Sequence, residues 1–169
     1  MKKIILASMI TLASVGIGAT PAFAGSGNTS TATGTATATI VAPIVLTHTT
    51  GASLNFGRFT TGTGGTVTIT AAGVGSVGTD VTFVPGSNVS ADAFTVAGDG
   101  SRSFGITTTG GNVTSGATNL AFTTTPSATT ATLTAGGTSS FTVGGTLTVS
   151  GTAAAGSYSG TYTATVTYN

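Results

Sequence analysis

The sequence predicts an all-β fold in which short strands stack as a β-sandwich. Three observations carry this. From Tyr162 the chain alternates strictly, with Tyr162, Ala164, Val166 and Tyr168 on one side and Thr161, Thr163, Thr165 and Thr167 on the other. That period of two marks a half-buried strand, because successive side chains leave opposite faces of the pleat. Elsewhere Thr, Val, Ile, Phe and Tyr recur in short runs between clusters drawn from 27 glycines, which is strand composition with turn punctuation. No stretch of residues 25–169 shows helical periodicity, which argues against a parallel α/β sheet. Disorder is excluded by the same composition. Disordered chains are rich in charge and Pro, whereas this one has 4 Pro, 4% charged residues and a positive mean hydropathy.

The elements follow in order. Met1-Lys2-Lys3 is a basic start, Ile4 to Ile17 an apolar run, and Ala22-Phe23-Ala24 an A-x-A cleavage site after Pro21. Together they predict a secretory signal peptide over residues 1–24. The apolar run is shorter than the ~20 residues a membrane span needs. Residues 25–34 are small and polar and form a flexible extension. One domain is then expected over residues 35–169. Thr35 to Leu46 reads as a long first strand bent at Pro43, which cannot donate to a ladder. Leu54 to Phe59, Thr66 to Ala71 and Val81 to Val84 follow. Phe94 to Ala97 and Ser103 to Thr107 flank a turn at Gly98-Asp99-Gly100. Leu120 to Thr123 and Ala131 to Thr134 are weaker. Ser140 to Val143 and Thr146 to Val149 read as a hairpin, with Gly144-Gly145 taking the positive φ of a type I′ turn. The terminal strand closes the chain. The expected inward set is Ile40, Leu46, Phe56, Val67, Ile69, Phe83, Phe94, Phe104, Phe141, Leu147, Val149, Tyr162, Val166 and Tyr168.

Charge is nearly absent. Both lysines lie in the leader, which leaves Arg58 and Arg102 against Asp80, Asp92 and Asp99. A nucleic-acid binder needs clustered Lys and Arg to displace counterions, so that class is excluded. No later segment is long and apolar enough to span a membrane, so none is expected in the mature chain. There is no Cys, hence no disulfide framework. A hydroxyl-rich surface without like charges is compatible with close self-association.

Candidate chemistry is sparse. His48 stands alone, where structural zinc asks for four ligands, and reads as a polar residue at a strand end. No Glu is present, and Asp80, Asp92 and Asp99 fall in different predicted loops, as solvated turn residues. No G-x-S-x-G elbow accompanies the serines. Gly62-Thr63-Gly64-Gly65 lacks a following Lys and precedes a strand, so it is no phosphate loop. The expectation is a protein without catalytic site, metal or cofactor.

Two groups of motifs carry a resemblance. Near the start are Ile40-x-x-Pro43-Ile44-x-Leu46, Leu54-x-Phe56-Gly57-x-Phe59 and Gly65-Thr66-Val67. Near the end are Phe141-x-Val143-Gly144-Gly145-x-Leu147-x-Val149, Gly156-x-Tyr158-x-Gly160-x-Tyr162 and Val166-x-Tyr168. Their order resembles a pilin-like family of secreted bacterial domains of unknown function, related in pattern to spore-coat-U-type and archaic chaperone–usher fimbrial subunits. The blocks cover both ends of the mature chain; residues from about 75 to 130 carry no motif of this kind. The resemblance implies an incomplete immunoglobulin-like subunit, completed by an extension from a neighbour or by a periplasmic chaperone. It departs from many such subunits in having no disulfide.

The expected function is therefore a structural subunit of a surface fibre, exported to the periplasm or cell surface. Its partners would be copies of itself or related subunits, with a periplasmic chaperone and an outer-membrane usher. The assembly groove is expected at Tyr162, Ala164, Val166 and Tyr168. The donor is expected within Ser26 to Ala38, with Thr29, Thr31, Ala32, Thr35, Ala36 and Ala38 as its candidate residues. The alternative is a self-complemented β-sandwich, secreted or surface-attached, acting as an adhesin or coat protein.

Overall fold

The computed structural model describes residues 27–169, and the predicted leader lies outside them. The chain divides between Thr39 and Ile40. Residues 27–39 belong to no strand and are exposed throughout. From Ile40 onward the chain is all β, and no helix occurs among the described residues.

Twelve strands form in chain order. They are β1 (Val45–His48), β2 (Phe59–Thr60), β3 (Gly64–Ile69), β4 (Gly75–Thr79), β5 (Thr82–Phe83) and β6 (Asp92–Ala97). There follow β7 (Ser103–Thr109), β8 (Gly111–Ser115), β9 (Thr118–Pro126), β10 (Thr130–Thr132), β11 (Thr138–Ser150) and β12 (Thr163–Tyr168). A seven-stranded sheet runs β1-β6-β11-β3-β4, with β9 also paired to β11 and β8 to β9. A three-stranded sheet runs β10-β7-β12, and β2 pairs with β5. All ladders are antiparallel.

The larger sheet is organised by β11. Val143 is paired with both Asp92 and Pro126, and Gly145 with both Ile69 and Thr124. So β9 takes one edge of β11, while β6 and β3 follow one another along the other. This corrects the expected hairpin at Gly144-Gly145. Neither glycine has a positive φ, which a type I′ turn would require, and the strand passes straight through them. They are glycines because other backbone comes close. A Cβ on Gly144 would lie 2.7 Å from the Ala71 nitrogen, where β3 leaves the sheet.

Two apolar clusters fill the interior. One holds Phe56, Val67, Ile69, Val81, Leu120, Phe122, Leu147 and Val149. The other joins Phe94, Val96, Phe141 and Val143 of the larger sheet to Phe104 and Ile106 of the smaller, with Leu133 between. The two sheets thus pack on one another through the second cluster. Fully burying a side chain of this size contributes about 1.5–3 kcal/mol.

The expected inward set is buried or packed on these clusters with one exception. Ile40 is 97% exposed, because the long strand expected over Thr35 to Leu46 does not form. Only Val45–His48 pairs, along β6. Pro43 lacks the N–H that would extend the ladder toward the N-terminus. The turn expected at Gly98-Asp99-Gly100 does lie between β6 and β7. These strands lie in different sheets, so Gly98 to Arg102 crosses from one to the other.

Candidate assembly cleft

The terminal strand has the orientation its alternation dictates. Thr163, Thr165 and Thr167 are exposed, while Ala164, Val166 and Tyr168 are half-buried against the second cluster. β12 pairs with β7 alone, so its second edge has no strand among the described residues. Asn169 donates its N–H to the Ser103 carbonyl. By the alternation of an antiparallel ladder, Thr163, Thr165 and Thr167 bond toward β7. Ala164, Val166 and Tyr168 therefore turn their N–H and C=O groups to the open edge. β1 is likewise the last strand of its own sheet.

A cleft lies beside these edges. Its wider part, about 760 Å³, is bounded by the stretch from Ser53 to Thr61 and by the stretch from Ala153 to Gly160. Val113, Leu120 and Leu147 supply apolar lining. It continues into a hollow of about 420 Å³ that reaches His48 on β1 and Ala164 on β12. The two parts share Leu54, Phe56, Val113 and Gly160. The motifs Leu54-x-Phe56-Gly57-x-Phe59 and Gly156-x-Tyr158-x-Gly160 thus contribute facing walls. The rim is built by the chain's own pairing: Ser159 bridges to Thr114 of β8, and Asn55 to Ser90.

Polar clasps fix the terminal segment at both ends. At its start Tyr162 donates its hydroxyl to Asp92 Oδ2 at 2.8 Å. Asp92 Oδ1 lies 2.7 Å from His48 Nε2 and accepts the Ala93 N–H at 2.8 Å. Asp92 is only 5% exposed, so three donors replace the water it has lost. Burial first, then the hydrogen bond to Asp92 and its negative charge, hold the Tyr162 phenol well above the usual tyrosine value. The phenol is thereby kept as a proton donor. Its ring stands edge-on to Phe94 and Phe122, centroids 6.2 and 6.3 Å away. At the far end Tyr168 accepts the Asp99 N–H at 2.7 Å and donates to the Ala42 carbonyl at 3.0 Å.

The structure corrects the reading of Asp92 as a solvated turn residue. It begins β6 and is buried, and it gives His48 the carboxylate partner that the sequence did not show. These residues are 44 apart in sequence, and no local pattern announces their contact. Asp80 and Asp99 do serve turns. Asp80 accepts the Thr63 N–H at 2.8 Å, and Asp99 pairs with Arg102 at 2.5 Å. Among the described residues no three His, Cys, Asp or Glu side chains stand close enough to hold a metal ion. Of the candidate donor residues, Thr29, Thr31, Ala32, Thr35, Ala36 and Ala38 are all exposed and in no strand. Ser26, at the start of that segment, lies outside the described residues.

No curated protein and no solved structure matches the chain. Residues 46–168, well over half of it, match the family described as a domain of unknown function, DUF4402. The matched span opens inside β1 and closes on Tyr168, the last residue of β12. It takes in both walls of the cleft and the whole Tyr162 clasp, with Tyr168 but not the Ala42 carbonyl that Tyr168 bonds, and on that match the chain belongs to the DUF4402 domain-of-unknown-function family.

Proposed function

We propose that this chain is a structural subunit of a surface fibre that assembles by strand exchange. A leader over residues 1–24 would direct it out of the cytoplasm, to the periplasm or cell surface. The facing sheets are read as a pilin-like sandwich of immunoglobulin type, left incomplete at one seam. One observation carries the reading. β1 and β12 are each the outermost strand of their sheets, and the hollow running into the cleft reaches both. Unpaired backbone on a sheet edge is a template for an added strand. A strand from a neighbouring copy would satisfy the N–H and C=O groups of Ala164, Val166 and Tyr168 and cover their half-exposed side chains.

Copies of this chain or related subunits are the partners, with a periplasmic chaperone and an outer-membrane usher handling the open form. No catalysis and no cofactor enters this reading. The test is deletion of residues 25–40. Loss of fibres, or of the ladder on a denaturing gel, supports exchange through the N-terminal segment. Ladders like those of the full chain would exclude exchange through these residues.

The alternative is a self-complemented monomer acting as an adhesin or coat protein. It draws support from Val45–His48, which does pair within its own chain. A cooperative, heat-stable monomer at high concentration would favour it over the fibre.

A further inference from the structure

Ala36, Ala38, Ile40, Ala42 and Ile44 alternate with Thr35, Thr37, Thr39, Val41 and Pro43. This is the period of a strand, yet no residue from 35 to 44 belongs to one. Ile44 packs on the second cluster, whereas Ile40 is 97% exposed. A single exposed Ile needs no explanation. This one sits in a strand pattern without a sheet, on a molecule whose cleft adjoins strand edges without a strand.

Charge matches the two. Residues 27–44 carry no charged side chain. Along the cleft only Arg58 is charged, apart from the His48–Asp92 pair that satisfies itself. An uncharged, alternating segment of this same chain is therefore a fitting occupant. Position matches as well. The bond from Tyr168 to the Ala42 carbonyl places the exit of this segment at the end of β12. The wide part of the cleft, beside Tyr158, lies before the start of β12. Donor exit and acceptor mouth are thus separated by the whole strand, about 20 Å for six residues at ~3.3 Å each.

Resting on the strand-exchange reading, we infer that Ile40 is the anchor of the donor and that the occupant of the cleft is a second copy. Ile40 of one copy seats in the wide part of the next copy's cleft, among Leu54, Phe56, Val113, Leu120 and Leu147. Ala38 and Ala36 then run along the open edge of β12, antiparallel to it. Their small side chains suit the shallow face over Ala164 and Val166. Because exit and mouth lie at opposite ends, the contact is head to tail and does not close on itself, which generates a filament. Ile40 stands two residues before Ala42, about 7 Å of extended chain, so consecutive domains must abut.

The chain has no Cys, so an engineered pair reports this contact directly. Ile40→Cys and Val113→Cys variants are mixed and oxidised, and a non-reducing gel is read. Disulfide-linked pairs are expected, at least tenfold more abundant than with Val77→Cys, which lies on β4 at the other edge of the larger sheet. In parallel, Ile40→Asp should lower the ladder at least tenfold with its unfolding midpoint unchanged, and Ile40→Val should retain it. If Ile40→Asp assembles like the parent, or Val77→Cys links as well as Val113→Cys, the Ile40 assignment is overturned while strand exchange stands. If a single chain carrying both cysteines links only to itself, the second copy is replaced by self-filling and the inference fails. If the unaltered chain never associates, the strand-exchange reading falls first and takes this one with it.

Discussion

β11 and β12 share one sequence grammar, yet the apolar residues of β11 are buried and those of β12 only partly so. In β11, Phe141, Val143, Leu147 and Val149 alternate with Thr and Ser and are 4, 0, 3 and 3% exposed. In β12, Ala164, Val166 and Tyr168 alternate just as strictly and stay half-exposed. Both strands point their apolar residues inward. The difference is neighbours. β11 is paired along both edges, by β6 and β3 on one and β9 on the other, while among the described residues β12 has only β7. Alternation sets which way a side chain faces; sheet position sets how much water it loses. A half-covered apolar strand at a seam is what an added strand would complete.

The sharpest way to break this comparison is a matched pair of truncations. Val143 of β11 is fully buried in the second cluster, and Val143→Ala should cost about 2–3 kcal/mol in a denaturant titration. Val166→Ala, facing the same cluster from the edge, should cost about 1 kcal/mol, because its methyl groups are only partly withdrawn from water. Equal losses would show that β12 is covered as fully as β11.

The clasp comes next. Asp92→Ala leaves the Tyr162 hydroxyl and the Ala93 N–H without their acceptor, a loss of about 2–3 kcal/mol by thermal or chemical unfolding. A loss under half that would mean water replaces the carboxylate readily.

A pH titration isolates the tyrosine. Its phenol holds its proton more tightly folded than unfolded. The folded state then binds more protons over the range beginning near pH 10, the usual tyrosine value, and stability falls there as pH rises. Below that range the contribution is fully present. Tyr162→Phe should flatten this alkaline decline relative to the parent; an unchanged slope would place its cause in another group.

The smallest effect belongs to the opposite edge. Thr79 ends β4 with φ of 60°, a left-handed conformation that is strained for a β-branched residue. Thr79→Asn should stabilise by about 1 kcal/mol without touching the cleft. No gain in melting temperature would show that the strain is offset by the Thr side chain.

Much of this was legible in advance, and the reasons differ by residue. The orientation of β12, the inward faces of β3 and β6, and membership of the family rest on local pattern. A period of two is imposed by the pleat whatever the strand packs against. Local pattern could not separate Gly144-Gly145 as a turn from the same pair as a straight crossing. That depends on the end of β3, from Ile69 to Ala71, lying against Gly144, distant in sequence and adjacent in space. Nor could it place Ile40, which sits in an alternating run but belongs to no strand among the described residues. His48 and Asp92 looked unrelated because β1 and β6 meet only through the ladder that sets their register. By itself the sequence determined the all-β class and which face each strand turns inward, since these follow from neighbours along the chain. Only the tertiary structure decided which edges stay open and which polar groups meet. Those depend on contacts between residues tens of positions apart, where chain connectivity imposes no spacing of its own.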